Sequence, residues 1–258
     1  MVFRFIILSF VLVVSLPCFA KDQELPKKIT VTFEEYPPYE YSVIKGVDGH
    51  NIRKLKAIGR ELGIDFSFVV APMTRGLGMT KDRQVDLILS IYKTSERAQY
   101  LTYIDAPLDY NQDRIFSHRL RTPATIDSFE KLRPFKVGYV ADNSYGEKFD
   151  TYPGLSKEAS SYHADSIIRL TKGRVPYMVM DVKSFNYFRQ SLGLQESDYI
   201  QHPLEVNHQA LHLAFSKDHP HREKLLQVFS MMLKKYAEYQ VTGGLLPICQ
   251  RQENNCGP

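Results

Sequence analysis

The segment Ile29-Thr30-Val31-Thr32-Phe33 alternates apolar and hydroxyl side chains, a pattern that predicts a β-strand. Apolar residues then recur at helical spacing before Gly63, at Ile52, Leu55, Ile58 and Leu62. The sequence that follows predicts a strand at 64–70, a helix at 74–82 and a strand at 85–89. Strand, helix, strand, helix, strand is the order of a parallel sheet with right-handed crossovers.

The same order of elements begins again near residue 135. The sequence predicts a strand at 135–140, a helix from Tyr145 that Asn143 or Ser144 would cap, a helix at 166–171, a strand at 177–180 and a helix at 184–192. A last strand at 211–215 precedes the longest predicted helix, at 222–239. Two α/β units in one chain predict two lobes with a cleft between them, where ligands meet the carboxyl ends of the strands.

The composition is that of an ordinary globular protein. The chain has 258 residues, 43% of them hydrophobic and 24% charged, with a net charge of +4. No stripe of Lys and Arg interleaved with aromatic residues occurs in the sequence, so we expect no nucleic acid partner. Nucleophile-elbow, phosphate-loop and dinucleotide motifs are missing from it, and the histidines lack neighbouring Cys or carboxylate ligands. We therefore predict a protein that is not an enzyme and that has no cofactor or metal.

The N-terminus predicts export from the cytoplasm. Arg4 precedes an apolar run and small residues up to Ala20, so residues 1–20 have the form of a secretory signal peptide and the mature protein would be periplasmic. A membrane anchor and lipidation at Cys18 are the alternatives. Cleavage would leave Cys249 and Cys256, which flank a short polar loop and predict one disulfide, with two free thiols as the alternative.

Arg97 is the first candidate for ligand binding. It follows a buried-strand pattern that ends at Tyr92, and Thr94 or Ser95 can cap a helix that begins at Glu96. A guanidinium at the carboxyl end of a strand can bind a carboxylate with two hydrogen bonds. On the residues alone, an arginine on a solvated helix face, paired with Glu96 or Asp105, is an equal alternative.

Three further groups are candidates, each with a purely structural alternative. Asp181 directly follows the apolar strand at 177–180 and could hold an ammonium group, or simply cap the next helix. The aromatic residues of Tyr36-Pro37-Pro38-Tyr39 could stack over a ligand or pack as a lid. The segment Asp142-Asn143-Ser144 could bind an anion at a helix N-terminus or only cap that helix.

With these residues identified, the chain resembles the family 3 extracellular solute-binding proteins, the polar amino-acid receptors of bacterial ABC transporters. The most specific part is Val85-Asp86-Leu87-Ile88 followed by Thr94-Ser95-Glu96-Arg97. It resembles the family's strand and Thr-x-x-Arg signature, whose arginine binds the ligand α-carboxylate. The segment from Gly173 to Asp181 resembles the second-lobe segment whose aspartate binds the α-ammonium.

The resemblance implies a ligand site shared by both lobes, with Tyr36 as the stacking aromatic. The expected ligand-binding residues are Arg97, Asp181, Tyr36, Tyr39, Ser90, Tyr92, Thr94, Arg75, Asp142, Asn143 and Ser144. Two of them depart from the family pattern. Tyr92 stands where many members carry a small hydroxyl residue, and Asp142 stands where glycine is common and would repel an anion unless turned away. Arg75 is an additional cation that could reach the cleft.

The resemblance also implies the architecture, which is an α/β, two-lobe type II periplasmic-binding-protein fold. Each lobe would be a mixed, mostly parallel sheet flanked by helices. The first lobe would comprise residues 21–117 and 207–258, and the second residues 118–206. We expect a monomer that closes over an amino acid or related carboxylate and delivers it to an inner-membrane ABC permease. The alternatives are a sensing module for a membrane signalling partner and a periplasmic enzyme similar to cyclohexadienyl dehydratases.

Overall fold

A computed structural model describes residues 24–141 and 143–241. The strands are β1 Lys28–Phe33, β2 Tyr41–Val43, β3 Gly46–Asp48, β4 Asp65–Val70, β5 Leu87–Ile91, β6 Leu101–Tyr103, β7 Asp109–His118, β8 Lys136–Val140, β9 Ser156–Ser160, β10 Tyr177–Asp181 and β11 Tyr199–Ser216. The α-helices are α1 His50–Leu62, α2 Met73–Lys81, α3 Phe129–Leu132, α4 Glu147–Thr151, α5 His163–Thr171, α6 Val182–Ser191 and α7 Arg222–Val241. Short 3₁₀ helices occur at Arg97–Gln99, Arg119–Arg121 and Glu196–Asp198.

The strands form one continuous series in the order β4-β1-β5-β11-β7-β10-β8-β9, with β6 pairing beside it on β11. At one end β4, β1 and β5 are parallel, and at the other end β10, β8 and β9 are parallel. The strands between them, β11 and β7, pair antiparallel with each other and with their outer neighbours. Each end is thus a mixed, mostly parallel sheet.

The hydrophobic core is divided in the same way. One buried cluster combines residues 29–108 with residues 213–236, whereas two other clusters consist only of residues 115–206. We call the part around the first cluster lobe 1 and the part around the other two lobe 2. The expected boundaries at 117/118 and 206/207 fall within β7 and β11, the two strands that run from one core to the other.

The apolar patterns that predicted the elements are the patterns that fill these cores. Ile52, Leu55 and Ile58 of α1 are fully buried, and Gly63 ends the helix in the left-handed conformation with φ of 67°. All five residues of β5 and all five of β10 are buried, as continuous apolar strands of a covered parallel sheet should be.

Two predicted helix starts are wrong. The helix expected at Glu96 is one turn of 3₁₀ helix at Arg97–Gln99, because β6 begins at Leu101 and leaves no room for more. The helix expected at Tyr145 begins at Glu147, since Gly146 has φ of 87° and stands as the N-terminal cap itself. Asn143 and Ser144 therefore do not cap this helix.

Several expectations concern residues outside the described ranges. These are the signal peptide at 1–20, Asp142, and the disulfide between Cys249 and Cys256. None of the helices in the described ranges has the length and hydropathy of a membrane span. Within the same ranges, no group of three or more His, Cys, Asp or Glu side chains is placed to hold a metal ion.

Candidate functional site

Lobe 1 and lobe 2 meet through polar contacts at the carboxyl ends of their parallel strands. The Tyr39 hydroxyl of lobe 1 donates to Asp181 Oδ1 of lobe 2 at 3.0 Å. Ser184 Oγ, in the first turn of α6, donates to the Pro37 carbonyl at 2.8 Å. The loop at 34–40 therefore contacts the start of α6 directly.

Asp181 ends β10 and caps α6. Its Oδ2 accepts a hydrogen bond from the backbone N–H of Ser184 at 2.9 Å, so the capping role that the sequence left open is realised. Its Oδ1 accepts from the backbone N–H of Gln112 at 2.9 Å as well as from Tyr39. Burial raises the pKa of Asp181, although these hydrogen bonds oppose the rise. Capping and ligand contact can coexist here, since a carboxylate has about four acceptor positions.

The two tyrosines of the 36–39 loop stack on each other. The Tyr36 and Tyr39 ring centroids are 4.8 Å apart, with an interplanar angle of 18°. Tyr36 also lies 6.3 Å from the ring of His163 in lobe 2, and its hydroxyl donates to Asn111 Oδ1 at 3.0 Å. The aromatic pair therefore touches both lobes and the strand β7 between them.

Asp113 is a second buried carboxylate at this junction, and it lies on β7. Its Oδ2 accepts two amide hydrogen bonds at 3.0 Å, one from Asn111 Nδ2 and one from Asn207 Nδ2 on β11. Burial raises the pKa of Asp113 to about 8, and the nearby Asp181 adds to the rise. Gly146 approaches Asn207 so closely that a Cβ there would lie 3.1 Å from the amide, which favours glycine at this position.

Arg97 and Thr94 lie in lobe 1, in the turn that follows β5. The Arg97 backbone N–H donates to Thr94 Oγ1 at 3.2 Å, so Thr94 stabilises the turn before Arg97, although the helix it was expected to cap does not begin at Glu96. Arg97 Nη1 donates to the Tyr92 carbonyl at 3.2 Å, and the Tyr92 hydroxyl accepts from Asn111 Nδ2 at 2.5 Å. Arg97 is half-buried. Across the described ranges, no hydrogen bond or ion pair joins Arg97 to Asp181.

Ser90 belongs to a buried polar group behind the tyrosine loop. Its hydroxyl accepts from Asn51 Nδ2 at 2.9 Å, and the same amide donates to Glu40 Oε2 at 3.0 Å. Burial raises the pKa of Glu40 to about 8. Ser90 has φ of 52°, a left-handed conformation that side-chain-bearing residues adopt at some energetic cost. Ser90 therefore acts on the site by fixing the end of β5.

The remaining expected residues are spread around this centre. Asn143 Nδ2 lies 3.3 Å from His163 Nε2, and Ser144 Oγ donates to Asp150 Oδ2 at 2.6 Å. Arg75, in the first turn of α2, is exposed. The structure thus brings Tyr36, Tyr39, Tyr92 and Asp181 together directly, with Asn143 at the edge, and leaves Arg75 and Ser144 apart from them.

Sequence reasoning missed several polar residues that assemble the centre. They are Asn111, Asp113, Asn207, Glu40, Asn51 and His163. Strand β7 was not predicted, because its polar residues interrupt the alternation that marks a strand. The one available signal was the alternation of Asn111 and Asp113, which places both side chains on one face of an extended chain.

A comparison with models of protein families matches residues 29–240 to the bacterial extracellular solute-binding proteins, family 3. The match covers most of the sequence, including both lobes. The chain belongs to this family. A comparison with curated protein sequences finds no match.

Solved structures confirm the fold of this solute-binding protein. Holo ArgBP from T. maritima is 18% identical with a TM-score of 0.64, covering 82% of this chain and 91% of that one. AbpA from Streptococcus pneumoniae, bound to L-arginine, is 20% identical with a TM-score of 0.65, covering 83% and 90%. A histidine kinase sensor domain similar to periplasmic binding proteins is 22% identical with a TM-score of 0.66, covering 84% and 92%. The chain therefore has the two-lobe α/β fold of this class, as expected.

Proposed function

We propose that this chain is a receptor that closes over a small amino-acid-like solute between its lobes and presents it for import. The observation that carries the proposal is the hydrogen bond between Tyr39 of lobe 1 and Asp181 of lobe 2. This bond lies where the two lobes meet, and the surface there consists of buried polar acceptors and aromatic rings. A surface of that kind suits a small polar ligand.

In the proposed mechanism the two lobes bind opposite ends of the solute. Arg97 would bind the α-carboxylate with its guanidinium, and Asp181 would bind the α-ammonium. Both are charge-assisted contacts, which are about twice as strong as neutral hydrogen bonds. Tyr36 would pack its ring against the ligand. Because the ligand contacts both lobes only when they are closed, it favours the closed state over the open one.

Tyr39 has a defined part in this exchange. In the structure its hydroxyl donates to Asp181 Oδ1, an acceptor that the ligand ammonium would use. When the ligand enters, its ammonium group would therefore replace the Tyr39 hydroxyl as the hydrogen-bond donor to Asp181. Micromolar binding corresponds to about −8 kcal/mol, which two charge-assisted contacts and one aromatic contact can supply.

The family places this protein outside the cytoplasm, and we propose the periplasm as its compartment, reached through the signal peptide at 1–20. Its partner would be an inner-membrane ABC permease, and the receptor itself would be a monomer. The fold shared with a histidine kinase sensor domain makes a signalling partner the second candidate. Copurification from membranes with a permease, as opposed to a kinase, distinguishes the two.

The direct test is calorimetric titration of the mature protein with the amino acids, in the wild type and in Arg97→Ala. We expect micromolar binding of at least one amino acid by the wild type. Arg97→Ala should lose about a hundredfold or more in affinity, since truncating one partner of a desolvated charge pair costs about 2–5 kcal/mol. The melting temperature should change little, because the Arg97 side chain makes one hydrogen bond, to the Tyr92 carbonyl.

Arg60→Ala is the matched control, since Arg60 is an exposed arginine in the last turn of α1, away from the cleft. It should bind like the wild type. Equal affinities for Arg97→Ala and Arg60→Ala would contradict the proposed site. The enzyme alternative is favoured by the raised pKa of Asp113, which suits a general acid. Turnover of prephenate or arogenate by the same preparation would replace the receptor assignment with a dehydratase.

A further inference from the structure

The carboxylate of Asp113 is not used by the proposed contacts to an α-carboxylate and an α-ammonium. Asp113 is 1% exposed, and its Oδ2 accepts the amide hydrogen bonds from Asn111 and Asn207. Its other oxygen, Oδ1, accepts no hydrogen bond from any residue that the structure describes. Asp113 Oδ1 is not one of the fully enclosed polar atoms that lack a partner in the described residues, so a donor from outside the protein could reach this oxygen and supply its hydrogen bond.

The position of Asp113 places it beside the proposed ammonium site. On the antiparallel pair of β7 and β10, Asp113 lies directly opposite Asp181. Side chains at opposed positions of such a pair have Cβ atoms about 5 Å apart, and like charges there destabilise the pair. Two carboxylates at this distance favour a ligand that brings positive charge to both of them.

The protein itself brings no cation to Asp113. Within residues 24–141 and 143–241, no Lys, Arg or His forms an ion pair with it. Lys183, which interacts with Asp181, forms an ion pair with Asp109 at 2.5 Å and lies over the Tyr39 ring at 5.0 Å. The titratable groups that interact with Asp113 from the surrounding elements are acids and phenols: Asp181, Asp150, Tyr36, Tyr39, Tyr92 and Tyr145.

The charges of the site can now be compared with those of a ligand. In the proposed function, Arg97 takes the α-carboxylate and Asp181 takes the α-ammonium, which accounts for a zwitterion. Asp113 is then one acidic group in excess. A neutral side chain would leave this carboxyl protonated or unpaired, whereas a cationic side chain would form a charge-assisted hydrogen bond with Oδ1.

We propose that Asp113 selects a solute with a second positive centre, an α-amino acid whose side chain ends in an ammonium or guanidinium group. The proposal rests on the proposed function, because it assumes that Arg97 and Asp181 hold the α-groups. It assigns Asp113 the role of a specificity-determining residue on β7. The ring of Tyr36, whose other face is stacked on Tyr39, would stabilise the same cation.

The selection has a pH signature. Burial raises the pKa of Asp113 to about 8, so the free protein binds a proton at this carboxyl near neutral pH. A cationic side chain would displace that proton. The affinity for arginine should therefore fall by about fivefold from pH 8 to pH 7, and the titration heat should report proton release. Asp113→Asn should lose both effects.

The decisive experiment compares arginine with citrulline, in which a neutral urea group replaces the guanidinium in the same shape. In the wild type we expect arginine to bind at least about tenfold more tightly than citrulline, a difference of about 1.4 kcal/mol. Asp113→Asn keeps an oxygen for Asn111 and Asn207 and should bring the two affinities within about threefold. Asp65→Asn, at an exposed acid where β4 begins, is the matched control and should keep the wild-type ratio.

The outcomes separate this inference from the proposed function. The ratio of arginine to citrulline affinity in the wild type, and the pH dependence of arginine binding, need no variant. They test the role of Asp113 even where Asp113→Asn fails to fold. Tighter binding of a neutral amino acid than of arginine, lost in Arg97→Ala, overturns the role of Asp113 and leaves the receptor standing. An unchanged arginine preference in folded Asp113→Asn overturns it too. Binding of no amino acid at all overturns both proposals.

Discussion

The acidic and the basic halves of the proposed site are built in opposite ways. Asp113 and Asp181 lie on adjacent strands, are 1% and 3% exposed, and are held by amide and hydroxyl donors from both lobes. Arg97 lies in a single 3₁₀ turn between two strands, half-exposed, with one side-chain hydrogen bond to a carbonyl. The acidic half is therefore buried in the packed structure, whereas the basic half lies at the edge of that structure, partly exposed to solvent.

This difference in burial and hydrogen bonding indicates at which residues a substitution should change both ligand affinity and folding stability. A buried carboxylate with several donors cannot be removed without leaving those donors unsatisfied. Removal of the Arg97 side chain leaves only the Tyr92 carbonyl without its donor, and water can replace that donor. Substitutions in the acidic half should therefore change both affinity and folding, and substitutions of Arg97 should change affinity alone.

The largest expected effect is that of Asp181→Ala. It removes the proposed ammonium contact, the Tyr39 bond and the cap of α6, so affinity should fall about a hundredfold and the free energy of unfolding by about 1–3 kcal/mol. Calorimetry and urea unfolding measure the two quantities. Asp181→Asn is the matched variant, because asparagine caps a helix as well as aspartate does but lacks the charge. Asp181→Asn should therefore bind the ligand less tightly but unfold with the same free energy as the wild type. If Asp181→Ala is as stable as the wild type, then Asp181 does not couple binding to stability, and the acidic half does not differ from Arg97 in this respect.

The next effect is the pH dependence of stability in Asp113→Asn. A carboxyl whose folded pKa of about 8 exceeds its unfolded pKa of about 4 stabilises the fold at low pH. That stability is lost as the pH rises through this window. From pH 5 to pH 7 the free energy of unfolding of the wild type should therefore fall, relative to that of Asp113→Asn, by up to about 2.7 kcal/mol. Parallel stability curves for the two proteins over this range would show that Asp113 is ionised in the folded state throughout.

The smallest expected effect is that of Tyr39→Phe, which keeps the stacked ring and removes the hydroxyl. The loss of its bonds to Asp181 and to the Tyr110 carbonyl should lower the free energy of unfolding by about 1 kcal/mol. Ligand affinity should rise by about three- to tenfold, because the ligand ammonium no longer competes with this donor. Calorimetry measures the affinity, and Tyr41→Phe, on β2 outside the centre, is the control. Weaker binding in Tyr39→Phe would mean that the hydroxyl contacts the ligand itself.

The sequence predicted the elements whose environment is uniform. Strand β1 alternates apolar and hydroxyl residues, β5 and β10 are buried along their whole length and mostly apolar, and α1 has an apolar stripe because one face is covered. Strand β7 has neither pattern, since it lies between two lobes and carries buried Asn111 and Asp113. The alternation of Asn111 and Asp113 places both side chains on one face, but local sequence does not indicate that this face is buried in a junction.

The candidate site shows the same division. Arg97 and Asp181 stay predictions, which the sequence supports because each follows a recognisable strand and matches a motif. The partners that fix the centre come from distant parts of the chain, as Asn207 does when it meets Asp113 through the pairing of β11 with β7. That pairing is decided by the register of two long strands, which depends on the assembled lobes and not on either segment alone.

Strands β7 and β11 have a mechanical consequence as well. They form a continuous two-stranded ribbon from one core to the other, paired from Tyr199 with His118 to Leu211 with Asp109. Separation of the lobes must therefore flex this ribbon, and its irregular register near Glu205 is where bending is easiest. Asn111, Asp113 and Asn207 lie near the axis of that bend and should move least. Separation of the lobes would break the bond from Tyr39 to Asp181, whereas Asp113 and its two amide donors lie on the ribbon itself.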